Sequence, residues 1–284
     1  MAACYGNDTG GAACPSIFMT SKTACLFIDG ENLRHSLVEL FHSEFQAADY
    51  LPKGANWGGF FDHIVRISGA ESRLRAYWYV VEEIEFFPFG PWTKDPIIMD
   101  QILCKHIPFR DDLSKITNAS ARANRARFLS GTIMAEERKM RRRFDGWKEF
   151  QNGISNRFDA IEFRRAGSIR YDLFRKQFGK EKAVDVYLAT DLLQLRNIYD
   201  VAIIVSGDQD YVPAVQAVKD SGKHVINVSF LERGGRLLPG GARRLNMATD
   251  RTIEMEYSEA IKFMRFPPSK TTGSLFSPSN PAKV

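Results

Sequence analysis

Cysteine is scarce in this chain of 284 residues, and the four cysteines follow no metal-binding pattern. They lie at Cys4, Cys14, Cys25 and Cys104. No two of them form a CxxC pair, and their spacing does not suit a structural zinc site. The sequence therefore excludes a zinc module. Because Cys25 lies within an apolar run, we expect free thiols and a reducing compartment.

Long apolar runs and a secretory start are also missing. No stretch approaches the roughly 18 apolar residues that a membrane-spanning helix needs. The first residues, MAACYGNDTGG, lack the basic start and the apolar core of a signal peptide. We therefore predict a cytoplasmic protein with no membrane partner.

Neither sign of charge dominates the composition. The 39 lysines and arginines exceed the 34 aspartates and glutamates by five, which gives a formal net charge of +5. This excess is compatible with a polyanionic partner but does not establish one. With 44% hydrophobic residues, the chain is long enough to bury a globular core.

Strand-like and helix-like segments alternate between two polar ends. Residues 1–22 and 267–284 are predicted to be flexible tails, because they are rich in small and polar residues or in proline and serine. In the body, 23–266, apolar runs predict strands at 24–28, 74–81, 160–165, 201–205 and 224–230. Apolar residues at helical spacing predict helices at 32–45, 60–67, 133–152, 182–196 and 212–221. This alternation is typical of one α/β domain whose mostly parallel sheet is flanked by helices.

The segment 82–130 breaks this pattern. It begins EEIEFFPFGPWTKDPIIMD, with three prolines, clustered aromatic residues and no sustained period. We predict an irregular or helical insertion here. Its first acidic residues, Glu82, Glu83 and Glu85, are interpreted as a solvated loop, with a further acid for the site as the alternative.

Two aspartates stand one residue apart in VAIIVSGDQDYVP, directly after the strand at 201–205. Two like charges at this distance raise each other's pKa and resist joint ionisation. A helix N-cap needs only one carboxylate, so the second is not explained by capping. Asp208 and Asp210 therefore indicate either a bound divalent metal or a shared proton.

Asp29 and Asp185 occupy comparable positions, one after the first strand and one in the first turn of a helix. The carboxyl ends of parallel strands lie at one edge of a sheet, so we expect both to converge with Asp208 and Asp210. Each also has a structural explanation. Asp29 can cap the following helix, and Asp185 is favoured by the helix dipole.

Two nearby polar residues are secondary candidates. Asn32 can hold Asp29 in place or bind a phosphate, with a plain helix cap as the alternative. Asp191 lies about 120° from Asp185 on an ideal helix, so the two do not share a face. It borders the apolar stripe, where it can orient a ligand or a water molecule.

Three segments together resemble the signature blocks of NYN domains, the LabA-like group of PIN-like nucleases. They are FIDGENL at 27–33, KAVDVYLATDLL at 182–193 and VSGDQDYVPAVQAVKDSGKHV at 205–225. The resemblance implies a Rossmann-like PIN fold, Mg²⁺ or Mn²⁺ held by clustered aspartates, and cleavage of RNA phosphodiester bonds. An endoribonuclease is favoured, but the sequence leaves open whether attack is endonucleolytic or exonucleolytic. By position, it implies that the metal-binding acids are Asp29, Asp185, Asp208 and Asp210, with Asn32 and Asp191 beside them. The insertion and both tails depart from a minimal domain of this family.

Basic and aromatic residues outside these blocks are candidates for RNA binding. The basic candidates are Arg138, Lys139, Arg141, Arg142, Arg143, Arg243 and Arg244. They can hold backbone phosphates, and a solvated helix face is the alternative for the first five. The aromatic residues of the insertion, Phe86, Phe87, Phe89 and Trp92, can stack on unpaired bases, but we favour packing onto the body.

Two other functions compete with the nuclease. A HAD-like phosphatase needs an aspartate two residues after its nucleophile, where this chain has Glu31, so that reading is rejected. A non-catalytic PIN-like scaffold that binds RNA, a nucleotide or a partner protein remains an alternative. The sequence leaves open whether the RNA is single-stranded or structured and whether the chain forms a homodimer.

Overall fold

A computed structural model describes residues 21–44, 50–88, 96–238 and 242–266. Its strands are β1 (Thr23–Asp29), β2 (Ser72–Phe87), β3 (Ile161–Asp172), β4 (Gln177–Lys182), β5 (Val201–Val205), β6 (His224–Leu231), β7 (Leu237–Leu238) and β8 (Arg251–Met255). Its helices are α1 (Gly30–Leu40), α2 (Trp57–Ser68), α3 (Pro96–Leu103), α4 (Ile107–Ser114), α5 (Ala119–Arg157), α6 (Val184–Gln194), α7 (Val212–Asp220), α8 (Arg243–Ala248) and α9 (Tyr257–Ala260). The predicted tails fall outside the described residues, except for 21 and 22.

The strands form one sheet in the order β4-β3-β2-β1-β5-β6-β7, and β8 also pairs with β6. All pairs are parallel except β3 with β4 and β6 with β7. The predicted α/β class, with a mostly parallel sheet and flanking helices, is confirmed. Among the helices of the described residues, none is both long and apolar enough to cross a membrane.

The central strands are buried on both faces, as their continuous apolar runs predict. In β1, Leu26 and Ile28 pack into one core cluster, which includes α1 and α2. Cys25 and Phe27 alternate with them and pack into a second cluster, which includes α6 and α7. Because successive strand residues point to opposite faces, one short apolar strand holds both helical layers.

The segment 82–130 is more regular than its sequence predicts. β2 continues through residue 87, α3 and α4 follow, and α5 begins at Ala119 instead of residue 133. These pieces close over a small third core that includes Leu103, Leu113 and Leu129. Of the two predicted alternatives, the helical one is found. The sequence did not distinguish it from an irregular segment, because helices of eight residues are too short to show a clear apolar period. Residues 89–95 lie outside the described part.

Gly30 allows α1 to begin directly against the neighbouring strand. A Cβ atom at this position would collide with the carbonyl oxygen of Tyr79 and would lie 2.8 Å from Cγ1 of Val80. The close approach is made at the end of β1, where Asp29 pairs with Tyr79 in the sheet register. The absence of a side chain at Gly30 therefore sets the position of Asp29 relative to β2.

We predict that Gly30→Ala destabilises the fold by about 1–3 kcal/mol, because the added methyl group forces backbone to shift. Gly146→Ala is the matched control, since a Cβ atom there meets nothing within 4 Å. In the middle of α5 that change is expected to stabilise the protein by about 0.5–1 kcal/mol. Urea unfolding measures both values. Equal effects of the two substitutions would contradict the close approach at Gly30.

Candidate active site

Asp29 stands at the carboxyl end of β1, next to the end of β5. The register pairs Ile28 with Val205, so the residues that follow both strands meet. Ser206 Oγ donates to Asp29 Oδ2 over 3.0 Å and accepts from the amide of Asp208 at 3.0 Å. The parallel pairing of β1 and β5 thus joins two segments that are about 180 residues apart in sequence.

Asp29 is buried and is held by several donors. It caps α1 by accepting from the amide of Asn32 at 3.0 Å, and the side-chain amide of Asn32 donates to it over 2.5 Å. Burial, opposed by these hydrogen bonds and reinforced by the charge of Asp185, raises the pKa of Asp29 to about 6. Asp29 therefore caps α1, and burial destabilises its ionised form.

Tyr211 connects Asp29 with Asp185. Its hydroxyl oxygen lies 3.2 Å from Asp29 Oδ2 and 2.8 Å from Asp185 Oδ1. A phenol has one proton and can donate to only one of these carboxylates at a time. Burial also raises the pKa of Asp185, with the charges of Asp208 and Asp210 adding to the effect. The carboxylate that does not receive the hydroxyl proton would be stabilised by a further proton or by a bound cation.

Asp208 and Asp210 follow β5 on a short 3-10 turn, Gln209–Tyr211. Asp208 is half-buried, and its Oδ1 accepts from the amide of Asp210 at 2.9 Å, so Asp208 caps this turn. Asp210 is exposed and has no capping role. Asn32 Oδ1 accepts from the amide of Gly207 at 3.3 Å and ties the turn to α1. Asn32 thus positions both Asp29 and the loop that carries the aspartate pair.

Two acids that the sequence reasoning missed join the same cavity. Glu181 lies on β4, and burial together with the charges of Glu31, Asp29 and Asp185 raises its pKa to about 8. Burial would raise the pKa of Glu31 as well, but hydrogen bonds from His35 and Arg34 lower it to about 2. Glu31 follows Asp29 by two residues, which was a usable signal. Glu181 had none, because QFGKEK shows no apolar alternation.

A cavity of about 890 Å³ brings these acids together. Its acidic lining residues are Asp29, Glu31, Glu181, Asp185, Asp208 and Asp210. Carboxylate and amide oxygens are hard donors that suit Mg²⁺ and Mn²⁺. Burial and mutual repulsion raise the pKa values of Asp29, Glu181 and Asp185, so a cation in the cavity would favour their charged forms. Within the described residues, no three His, Cys, Asp or Glu side chains are gathered tightly enough to hold a metal on their own. Mg²⁺ binds through one or two carboxylates together with water and substrate phosphate, so the donor set fits.

Asp191 does not join the cluster. It is buried, accepts from the hydroxyl of Tyr79 at 2.9 Å, and forms an ion pair with Arg164. Arg164 in turn lies over the ring of Tyr77, 4.0 Å from its centroid. Asp191 is therefore neutralised inside the packing of α6 on β2 and β3, and it does not line the cavity.

The basic residues of α5 lie on different faces of the helix. Arg143 lines the cavity together with its neighbour Phe144 and with Met140 and Trp147, which lie three and four residues from it. Arg138, Lys139 and Arg142 are exposed and do not line it. Arg141 is held by Glu137 at 2.7 Å and lies over the ring of Phe86. The structure thus brings one residue of this run to the acidic site.

Arg244 is the basic residue of α8 that approaches the aspartate turn. Its guanidinium donates to Gln209 Oε1 over 3.2 Å. Arg243 is exposed, and no contact of its side chain is seen within the described residues.

The first residues of the predicted insertion do not reach the cavity lining. Glu82 and Glu83 are exposed on β2, and Glu85 accepts from Ser168 at 2.7 Å. Phe86 is buried against Tyr171, and Phe87 packs edge-on against Phe174. These two rings therefore pack onto the body, as favoured. Phe89 and Trp92 lie outside the described residues.

A family model for the NYN domain matches residues 104–256, which is more than half of the chain. The chain belongs to the NYN domain family. The match includes Asp185, Asp208 and Asp210 and confirms the resemblance, although it begins after β1 and Asp29. NYN domains are generally nuclease-like, which supports a nuclease role and a nucleic-acid partner, and nucleases of this kind typically use divalent metals.

Two further comparisons add little. No curated protein matches this NYN domain. Among solved structures, the chain is similar to a protein of unknown function from Vibrio parahaemolyticus, with 14% identity over 82% of this chain and 93% of that chain and a TM-score of 0.41. This likeness is too distant to carry a functional argument.

We predict that Asp29→Asn stabilises the metal-free protein near neutral pH. The folded state raises the pKa of Asp29 to about 6, so its ionisation costs up to about 3 kcal/mol above that pH. The cost is small at about pH 4, where the carboxyl is protonated in the folded state, grows as the pH rises from about 4 to about 6, and is complete above about 6. Asparagine keeps the cap. Thermal melts in EDTA at about pH 4 and pH 7 measure the difference.

Asp220→Asn at the far end of α7 serves as the control, because Asp220 is exposed and lies outside the cavity. It should change stability by less than about 0.5 kcal/mol at either pH. If Asp29→Asn gave the same change at both pH values, the charge of Asp29 would not be the source of the cost.

Proposed function

We propose that this NYN domain is a metal-dependent ribonuclease that cuts RNA phosphodiester bonds endonucleolytically. The observation that carries the proposal is a pair of carboxylates, the buried Asp29 and the half-buried Asp185, which share the single proton of Tyr211. The pair lies at the carboxyl edge of a parallel sheet, where α/β proteins bind their ligands. Its cavity also holds Asp208 and Asp210. Membership of a nuclease-like family supports the same function.

Mg²⁺ or Mn²⁺ would be held by one or two carboxylates at a time from the set Asp29, Asp185, Asp208 and Asp210, together with water and substrate phosphate. It would neutralise the charge of the cleaved phosphate and lower the pKa of an attacking water. Asn32 keeps Asp29 and the aspartate turn at a fixed separation through its bonds to both. Tyr211 holds a proton between Asp29 and Asp185, which limits their repulsion until a cation is bound. Asp191, bound to Arg164, positions α6 and hence Asp185 from within the core.

We assign the contacts with substrate phosphates to two arginines near the acids, Arg143 and Arg244. Arg143 lines the cavity, and Arg244 lies beside the turn of Asp208 and Asp210. Both can hold phosphates on either side of the bond that is cut, since arginine donates in a fork that matches a phosphate. The other arginines of α5 contribute more weakly to RNA affinity, and their contribution does not depend on the RNA sequence.

We predict that purified protein cleaves labelled RNA with Mg²⁺ or Mn²⁺ and not with EDTA. Asp29→Asn, Asp185→Asn and Asp208→Asn should each lower the rate on the order of 100-fold or more, because each removes a charge from the site. Asp220→Asn, which changes an exposed aspartate at the far end of the helix that follows the aspartate turn, should keep the rate. Internal cuts in a circular RNA show that cleavage is endonucleolytic.

The outcomes separate the competing functions. Cleavage that survives all three substitutions would come from a contaminant and would overturn the proposal. RNA binding without cleavage under any metal condition would favour the non-catalytic PIN-like scaffold.

We also predict that Arg244→Ala weakens RNA binding several-fold and lowers the slope of log affinity against log salt by about 0.7, the value for one phosphate contact on a single strand. Arg243→Ala is the matched control from the preceding residue and should have a smaller effect. Anisotropy titrations in EDTA at several salt concentrations measure both. Equal losses would show that α8 attracts RNA only through its total charge.

A further inference from the structure

The acidic cavity has a second part, formed by α5 and the hairpin of β3 and β4. Among its lining residues are Phe178, Trp147, Arg143, Lys176 and Lys180. Of the six acids described above, only Glu181 lies on these elements, and of the five lining residues named here the proposed cleavage uses only Arg143. Its combination of aromatic rings and cations is unlike the rest of the cavity.

Phe178 presents an open aromatic face in this region. Its side chain lies on the edge strand β4 and is 38% exposed, which is unusual for a large apolar residue. The ring is supported from below by Tyr171, edge-on at 4.9 Å, and by Trp147 at 6.1 Å. Trp147 is itself stacked on Tyr50 at 4.8 Å. The exposed ring is therefore held by a rigid aromatic base rather than left on a mobile side chain.

Three cations surround this ring without a protein counter-charge. Lys176 and Lys180 lie two residues before and after Phe178, and Arg143 lies over the neighbouring Trp147 at 5.3 Å. Within the described residues, none of the three forms an ion pair. In the described part of the chain, no acid of the cavity forms an ion pair with these cations, so they remain available for an external anion.

We propose that this region is a subsite for an unpaired nucleotide of the RNA, whose base stacks on Phe178 while its phosphates contact Lys176, Lys180 and Arg143. The inference rests on the proposed ribonuclease function and names its substrate class, single-stranded RNA. A base within a duplex has both faces covered by its neighbours, so it cannot stack on a protein ring without being unpaired. An unpaired base offers a free face, and stacking on an aromatic residue is the usual way to bind it.

Binding of a non-cleaved substrate tests the subsite apart from the chemistry. Full-length protein in EDTA is titrated into a labelled single-stranded RNA of about 12 nucleotides and into the duplex of the same sequence. We expect tighter binding of the single strand. Phe178→Ala should weaken single-strand binding about tenfold and leave duplex binding unchanged, while Phe178→Trp restores it. Lys180→Ala should lower the salt slope by about 0.7.

The control is Phe128→Ala, since Phe128 is another exposed phenylalanine, on α5 and outside the cavity. It should change neither affinity. Loss of binding to single strand and duplex alike after Phe178→Ala, or no loss at all, would overturn the subsite. Each proposal can be overturned without the other. RNA cleavage without a preference for binding single strands would overturn only the subsite. Phe178-dependent binding of single strands without cleavage would overturn only the proposed ribonuclease activity.

Discussion

One proton shared between two carboxylates is the interaction on which the site depends. Asp29, which is buried, and Asp185, which is half-buried, come from different elements, and the hydroxyl of Tyr211 lies within hydrogen-bond distance of both. Since that neutral hydroxyl can donate to only one of them at a time, it limits their repulsion without cancelling it. Ionising both carboxylates is costly for stability, and a bound cation would relieve that cost, as the proposed function requires.

Backbone hydrogen bonds hold two of the site carboxylates in place. Asp29 caps α1, and Asp208 caps the turn before α7, so each carboxylate is fixed in position by backbone amides. Asp191, which resembles them in sequence, is neutralised by Arg164 and stays in the core. Among these three aspartates, Asp191 alone forms an ion pair with a cation of the described residues. That pairing is what distinguishes it from Asp29 and Asp208.

Helix α5 and the edge strand β4 add a different kind of surface to the acidic cavity. Trp147 and Arg143 of α5 line the cavity, and β4 contributes Phe178 and Glu181. Aromatic and cationic groups on this side complement the acids at the strand ends, because nucleic acid offers both flat bases and negative phosphates. The segment 82–130 contributes instead to the small third core, which lies beside this part of the fold.

The sequence by itself determined the central sheet and the positions of its acids. The apolar runs of β1 and β5 indicated strands buried on both faces, and Asp29 and Asp208 directly followed them, since hydrophobic patterning is a local signal. Tertiary structure decided the rest. The pairing of β4 with β3 brought Glu181 into the cavity, and the face of α5 selected Arg143 from a run of basic residues. These outcomes depend on contacts between distant segments, which no local pattern records.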